Sequence, residues 1–458
     1  MQQSELLPAI EAQRAFFASG ATRDWRKRKH VLNELRDAIV AAIPAIDEAV
    51  HADLHKSPFE VYATETGMVL TEIKHQLRCV RRYRKPRHVA PSLFTLAGAS
   101  RLVYEPYGVT LIVSPWNYPF HLSVLPMVGA VASGNTVVMK LSPQSPHTNG
   151  VIRSIVEKVF PPEWVLVVEG HREVNAFLFE QRWNHIFLTG SPELGKVAMA
   201  SAARYLTPVT LELGGKSPCI VDEDADIALA AKRIVYGKLI NSGQTCIAPD
   251  YLMVHSKVKD SLLASLQAAI RRFFGDDLLH APQYPHIVSD KAMQRLVPLL
   301  KDGDCVMGGR YDMGERFIEP TVLEHVGADS PLLTREIFGP IFPLMTFDHI
   351  DEVIAYVNQR EKPLAFYYFS KSRRKAAYLI SRTSSGGACV NDTLMHITNP
   401  HMPFGGVENS GLGNYHGRFS YATFTHQRSV YIGRRLDYWF KYPPFTEGWT
   451  RFIRRFMR

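Results

Sequence analysis

VTLIVSPWNYPFHLSVLPMVGAVASGNTVVMK, residues 109–140, is the stretch that decides the fold. It opens on a β-branched and aliphatic run, Val109 to Val113, that reads as a buried strand. The loop Ser114-Pro115-Trp116-Asn117-Tyr118-Pro119 interrupts it, His121 to Ala132 reads as a helix, and Thr136 to Lys140 reads as a second strand. Strand, helix and strand in this order make a βαβ unit, with parallel strands covered by helices. In such sheets ligands bind beyond the carboxyl ends of the strands. Taken alone, Asn117 in this proline-rich loop reads as a turn residue.

Outward from this unit the texture repeats. A helix is expected from about Thr148 to Val159, with strands from Val165 to Val168, His185 to Leu188 and Val209 to Leu213. A second alternating set runs from near Pro218 to about Asn391. Its strands are read from Tyr251 to His255, Ile341 to Phe347, Ala365 to Phe369 and Ala388 to Asn391. Its helices are read from Ala225 to Ile240, Lys257 to Phe274, Asp351 to Gln359 and Arg373 to Arg382. The fold class is α/β, with two doubly wound Rossmann-like domains. Ahead of them, Glu5 to Tyr83 has helical apolar spacing. Between, residues 85–104 carry Pro86, Pro91 and Gly98 among short apolar runs and read as an extended arm, paired to strands near 420–432.

At 458 residues, with 46% hydrophobic and 21% charged residues, the chain is globular and large enough for more than one domain. The charge of +9 collects in clusters at Arg23 to Lys29, Arg78 to Arg87 and Arg451 to Arg458. None is interleaved with aromatics or glycine loops on one module, so nucleic acid is not an expected partner. The five cysteines, Cys79, Cys219, Cys246, Cys305 and Cys389, are scattered without a CxxC pair. That pattern predicts neither a disulfide framework nor a zinc site, and suits a reducing cytosol. The opening MQQSELLPAIEAQ lacks the basic and apolar regions of a secretory signal. His51 and His55 stand four apart with no third ligand nearby, so they read as ordinary surface histidines and no metal is expected.

Thr189-Gly190-Ser191-Pro192-Glu193-Leu194-Gly195 joins a strand to a helix. Pro192 suits a first helical turn, whose free amides favour phosphate, yet the same string also suits a tight structural turn. Further strings follow in order: Leu211-Glu212-Leu213-Gly214-Gly215-Lys216-Ser217-Pro218, Asn241-Ser242-Gly243-Gln244-Thr245-Cys246, Glu336-Ile337-Phe338-Gly339-Pro340 and Pro403-Phe404-Gly405-Gly406. With Ser114 to Pro119 they resemble the aldehyde dehydrogenase superfamily over nearly the whole chain. HADLHKSPFE early and NSGLGNYHGRFS late resemble its dimeric class 3 members, which act on fatty and aromatic aldehydes.

The resemblance implies oxidation of an aldehyde, with NAD and/or NADP as cofactor, in a homodimer. Cys246 would be the nucleophile, since thiolates attack strongly even when scarcely ionised. The Asn117 amide and the Cys246 backbone N–H would meet the alkoxide, and Glu212 would be the base that hydrolyses the thioester. Lys140 would hold the adenosine ribose, Gly190 and Ser191 the pyrophosphate, Glu336 the nicotinamide ribose, and Phe404 would lie beside the nicotinamide. Tyr118, Met68 and Thr245 would line the substrate pocket, favouring medium- to long-chain aliphatic or aromatic aldehydes. By the same resemblance, residues 1–84 and 105–212 form the cofactor-binding domain and 213–396 the catalytic domain. Residues 85–104 with 418–433 form a small β oligomerisation arm, and 434–458 a C-terminal tail.

Two positions depart from the family pattern. Pro143 stands three residues after Lys140, where NAD-preferring relatives carry a glutamate that repels a 2′-phosphate. Glu408 stands where glycine is usual. A CoA-acylating dehydrogenase is the nearest rival, although such enzymes generally lack a glutamate at the position of Glu212. A cofactor-independent cysteine hydrolase would need a histidine base, for which His416 is the candidate. A catalytically idle, membrane-associated scaffold is a third reading, suggested by the basic tail. In that tail Trp449, Phe452, Ile453, Phe456 and Met457 fall on one helical face, with Arg451, Arg454, Arg455 and Arg458 around it and Thr446 as N-cap. This helix is expected to dock on the protein near the substrate entrance or to lie on a membrane surface at the periphery of the cytoplasm.

Overall fold

A computed structural model of the chain describes residues 3–435, 438 and 441–457. Six strands form the first sheet in the order Gly411–Leu412, Val209–Glu212, His185–Thr189, Val109–Val113, Thr136–Lys140 and Val165–Val168. All neighbours are parallel except the first pair. Every residue of Val109–Val113 and Thr136–Lys140 is buried, which is why these strands read as mostly apolar runs without alternation. The helix between them, His121–Ser133, is buried along its whole length. The next helix, Pro146–Val159, begins two residues before the expected Thr148, because Pro146 needs no hydrogen-bond partner in a first turn.

The second sheet has seven strands, ordered Asp304–Met307, Thr321–Glu324, Ile341–Phe347, Tyr251–His255, Pro218–Val221, Ala365–Phe369 and Gly387–Val390. Pro218–Val221 sits in its interior, yet a four-residue strand starting on proline gave no periodic signal. Asp304–Met307 is an antiparallel edge with a bulge between Cys305 and Met307 and is largely exposed, so it too lacks an apolar signature. The helix of this half that leads to Cys246, Ile227–Leu239, is capped by Asp226, whose carboxylate accepts from the Leu229 N–H at 3.1 Å.

A third, antiparallel sheet joins Arg87–His88 to Gly98–Pro106, and Gly98–Pro106 to Thr425–Gly433 in an unbroken register from Pro106↔Thr425 to Gly98↔Gly433. The C-terminal helix Glu447–Phe456 is capped by Thr446, whose hydroxyl accepts from the Trp449 N–H. None of its residues is buried. Arg458 lies outside the described residues. Among the described residues no helix is long and apolar enough to cross a membrane.

Candidate active site

Three chain segments converge at the carboxyl ends of the first sheet. The loop after Val109–Val113 supplies Asn117, the end of Val209–Glu212 supplies Glu212, and the turn after Ile227–Leu239 supplies Cys246. That turn is held against its own preference. Asn241, Ser242 and Gly243 take φ of 50°, 49° and 74°, three successive left-handed residues of which only one is glycine. At Gly243 a Cβ would run into the Gly339 carbonyl. Side chains secure the backbone. The Asn241 N–H donates to Glu60 at 2.8 Å, and the Gln244 amide nitrogen donates to the carbonyls of Asn241 (3.1 Å) and His286 (3.0 Å). The Gln244 side-chain oxygen accepts from the Val288 N–H at 2.9 Å.

Cys246 is half-buried. Burial first, then the Glu336 and Glu212 carboxylates, push its thiol above the usual range, while the N–H groups of Cys246 and Ile247 oppose the shift. The resting group is therefore the thiol. Glu212 is buried, neither carboxylate oxygen has a hydrogen-bond partner among the described residues, and burial raises its pKa well above the ordinary value. A buried, unpartnered carboxyl beside a sulfur is costly as structure, and is what a proton acceptor of raised basicity requires. The Asn117 amide nitrogen donates to the Gln244 carbonyl at 2.9 Å, which orients the amide and leaves its second hydrogen for another acceptor.

Two clefts meet at these residues. The first, about 740 Å³, is lined mostly by apolar side chains, among them Met68, Leu122, Ile240, Leu394, Ile397 and Phe404. Tyr118, Thr245 and Glu212 also line it, and the Tyr118 hydroxyl lies 2.6 Å from that of Thr245. The second, about 650 Å³, is lined by Trp116, Asn117, Gly190, Ser191, Gly214, Glu336 and Phe338. Leu122, Thr189, Glu212 and Cys246 belong to both. The sulfur and the Glu212 carboxyl thus stand at the junction.

Gly190 and Ser191 open the helix Pro192–Ala203, and Ser191 caps it by accepting from the Leu194 N–H at 3.3 Å. The turn is therefore both a structural cap and the wall of the second cleft. Glu336 is half-buried, with a carboxyl pushed up to about 8 by burial first and Asp250 second, against the Gly215 N–H, Lys216 and Arg295. At Gly214 any Cβ would collide with that carboxylate. Lys140 is buried at its strand end, its ammonium donates to the Leu141 carbonyl at 2.7 Å, and burial lowers its pKa to about 8. It does not line the second cleft. Phe404 lines the first cleft rather than the second, packed against His396, Tyr415 and His416.

His416 is buried among rings, its pKa is depressed by burial, and it lines neither cleft, so the geometry gives Cys246 no histidine base there. Glu408 pairs with Lys362 on the surface. His55 is not the free surface histidine the sequence suggested. Its ring stacks on that of His286 with centroids 4.2 Å apart, a contact from a distant segment. Asp222, Glu223 and His255 bring possible ligand atoms together, but Lys375 lies 3.1 Å from Asp222 and Lys257 2.8 Å from Glu223, neutralising the carboxylates. Sequence reasoning also missed Lys56, Glu60 and Glu65, which lie behind Asn117 and Asn241. Lys56 and Glu60 lie within the HADLHKSPFE string and Glu65 just beyond it, but nothing in the residues themselves separates them from surface charges.

A model of the aldehyde dehydrogenase family matches residues 1–430. The 4,4′-diaponeurosporen-aldehyde dehydrogenase of Staphylococcus aureus is 42% identical over 448 residues, 97% of each chain. A dimeric NADP-preferring aldehyde dehydrogenase of Rattus norvegicus is 39% identical over 444 residues, covering 96% of this chain and 98% of its own. Among solved structures, the substrate-bound state of Staphylococcus aureus AldH superposes with a TM-score of 0.96 at 41% identity, over 99% of both chains.

Proposed function

This chain belongs to the aldehyde dehydrogenase family and is an NAD(P)-dependent oxidoreductase acting on aldehydes, and from that premise we propose that it oxidises apolar aldehydes to carboxylic acids through a thioester on Cys246. The observation that carries this reading is the position of Cys246 and Glu212 where the two clefts meet. The apolar first cleft takes the aldehyde. The second offers the amides of a helix N-terminus at Gly190 and Ser191, and Glu336 for ribose hydroxyls, which fits a dinucleotide. Lys140 is the candidate for the adenosine end.

The Cys246 thiol releases its proton to solvent, and the sulfur attacks the carbonyl carbon to form a tetrahedral alkoxide. The free hydrogen of the Asn117 amide and the Cys246 N–H donate to that oxygen; loss of one such donor typically costs ~2.7–4 kcal/mol. When bound, the nicotinamide supplies the acceptor for the hydride that the alkoxide expels, leaving a thioester. Glu212 then takes a proton from water, which attacks the thioester carbon, and the acid leaves as Cys246 recovers its proton. A raised pKa makes Glu212 a stronger base once ionised.

The apolar lining also favours long chains over small charged semialdehydes. A neighbouring groove with Phe59, Leu239, Phe273 and Phe274 shares Ala63, Thr64, Tyr236 and Ile240 with the first cleft, which prolongs the apolar path toward the surface. The helix Glu447–Phe456, none of whose residues is buried, is read as a contact for the entrance or for a membrane surface. The β arm is read as the interface of a homodimer. Rates across aldehyde chain lengths with NAD and NADP, with the acid quantified in the absence of CoA, test the reading. Maximal rates on short charged semialdehydes, or an absolute need for CoA, would reject it.

A further inference from the structure

Behind Asn117 lies a charge pair that the proposed reaction does not consume. Lys56 and Glu65 are both fully buried, and the ammonium lies 2.8 Å from a Glu65 oxygen. The same ammonium donates to the Asn117 carbonyl at 3.0 Å and lies 3.8 Å from the centroid of the Tyr118 ring. The other Glu65 oxygen accepts from the N–H groups of Phe120 (2.8 Å) and His121 (3.3 Å). The segment from Asn117 to His121 is thus gripped at both ends, its carbonyl by the cation and its N–H groups by the anion.

From that segment two short paths lead to the sulfur. The Asn117 carbonyl also accepts from the Asn241 amide at 2.7 Å, and that amide donates onward to the Gln244 carbonyl at 3.0 Å. The Asn117 side chain ends on the same carbonyl. On the second path the Tyr118 ring rests against the ammonium, and its hydroxyl meets Thr245, the neighbour of Cys246. Glu65 itself rides on a single π-helical turn, Tyr62–Thr66, a form of helix found mostly as isolated turns and often at functional sites. A buried ion pair seldom adds net stability over apolar packing of the same volume, so its presence calls for another account.

We propose that Lys56 and Glu65 are positioning residues for the reaction. Locked by the carboxylate, the ammonium fixes the Asn117–Tyr118 peptide. Through it the pair sets where the amide donor and the Thr245–Cys246 turn meet the alkoxide. This rests on the reading of Asn117 as donor and Cys246 as nucleophile.

The test replaces the pair by apolar groups, Lys56→Met with Glu65→Leu, and follows the pre-steady-state burst of NAD(P)H, the cofactor KM and thermal stability. The expected result is a folded variant with cofactor KM unchanged and a burst about a hundredfold slower, the scale of a roughly 1 Å misplacement. A folded double variant with a wild-type burst rate overturns the proposal. Should that variant not fold, Glu65→Asp draws the carboxylate back by one methylene and should slow the burst at unchanged cofactor KM. A wild-type burst in it overturns the proposal equally. Asn117→Ala and Cys246→Ala, run beside them, separate the two levels. A wild-type burst in Asn117→Ala removes the donor reading itself. A slow burst there with a fast one in the pair variants removes only the positioning role.

Discussion

Replacing Glu212 by glutamine should separate the two halves of the reaction and reveal what the site costs the fold. Glutamine keeps the shape of the side chain but cannot take a proton from water. Acylation does not require that proton transfer, so a burst of NAD(P)H should survive and steady-state turnover should then stall. A positioned general base contributes about a hundredfold to ten-thousandfold, or roughly 3–5 kcal/mol of barrier. Stability should move the other way. Burial raises the Glu212 pKa and neither oxygen has a partner, so the folded state holds this proton more tightly than the unfolded chain does. The resulting penalty is absent below the ordinary carboxylate range and grows as pH rises from there toward the raised folded value. Ionising a buried, unpaired carboxyl costs several kcal/mol, a cost that glutamine does not carry. The variant should therefore match wild type in thermal unfolding at about pH 4 and exceed it increasingly toward neutrality. Rapid-mixing absorbance at the reduced nicotinamide band measures the first effect, and calorimetry across pH the second. Wild-type steady-state turnover by the variant would refute the base assignment. A melting difference that did not change with pH would refute the burial argument.

Other outcomes follow from the same geometry. Cys246→Ala should abolish dehydrogenase and esterase activity while cofactor binding, read by fluorescence, stays intact; retained activity would move the nucleophile elsewhere. Because Pro143 is exposed and carries no charge, NADP should be used beside NAD, with Lys140 turning from the Leu141 carbonyl to pair with a 2′-phosphate. A preference for NAD above roughly a thousandfold, about 4 kcal/mol, in steady-state kinetics would reject that reading. Removing residues 446–458 should lower rates on long-chain aldehydes more than on short ones and weaken binding to anionic liposomes at low salt. Equal losses at every chain length with unchanged liposome binding would leave the helix a structural cap.

The fold was legible wherever burial on both faces wrote itself locally as an apolar run, as at Val109–Val113 and Ala365–Phe369. It was not legible at Pro218–Val221, where an interior strand is too short to show a period, or at the exposed, bulged edge Asp304–Met307. Cys246, Glu212 and Asn117 could be singled out only through the strings around them. A lone cysteine, a strand-end carboxylate and an asparagine in a proline-rich loop each have a common structural explanation. Beyond the pairing of the β arm, what no string carried was side-chain contact across the chain. Lys56 reaches Asn117, and His286 reaches both His55 and Gln244, because distant segments fold together. The second cleft follows the same rule: Glu336 faces Gly214, and neither residue alone announces a wall.

A sulfur reached from two sides has a consequence for traffic. On the proposed reading, spent nucleotide can depart by its own doorway while the acyl group is still attached in the other, so product departure and hydrolysis need not queue behind one another. An inhibitor that fills one doorway leaves the other passable, and the two kinds of blocker should bind together. Only a ligand that straddles Cys246 closes both at once.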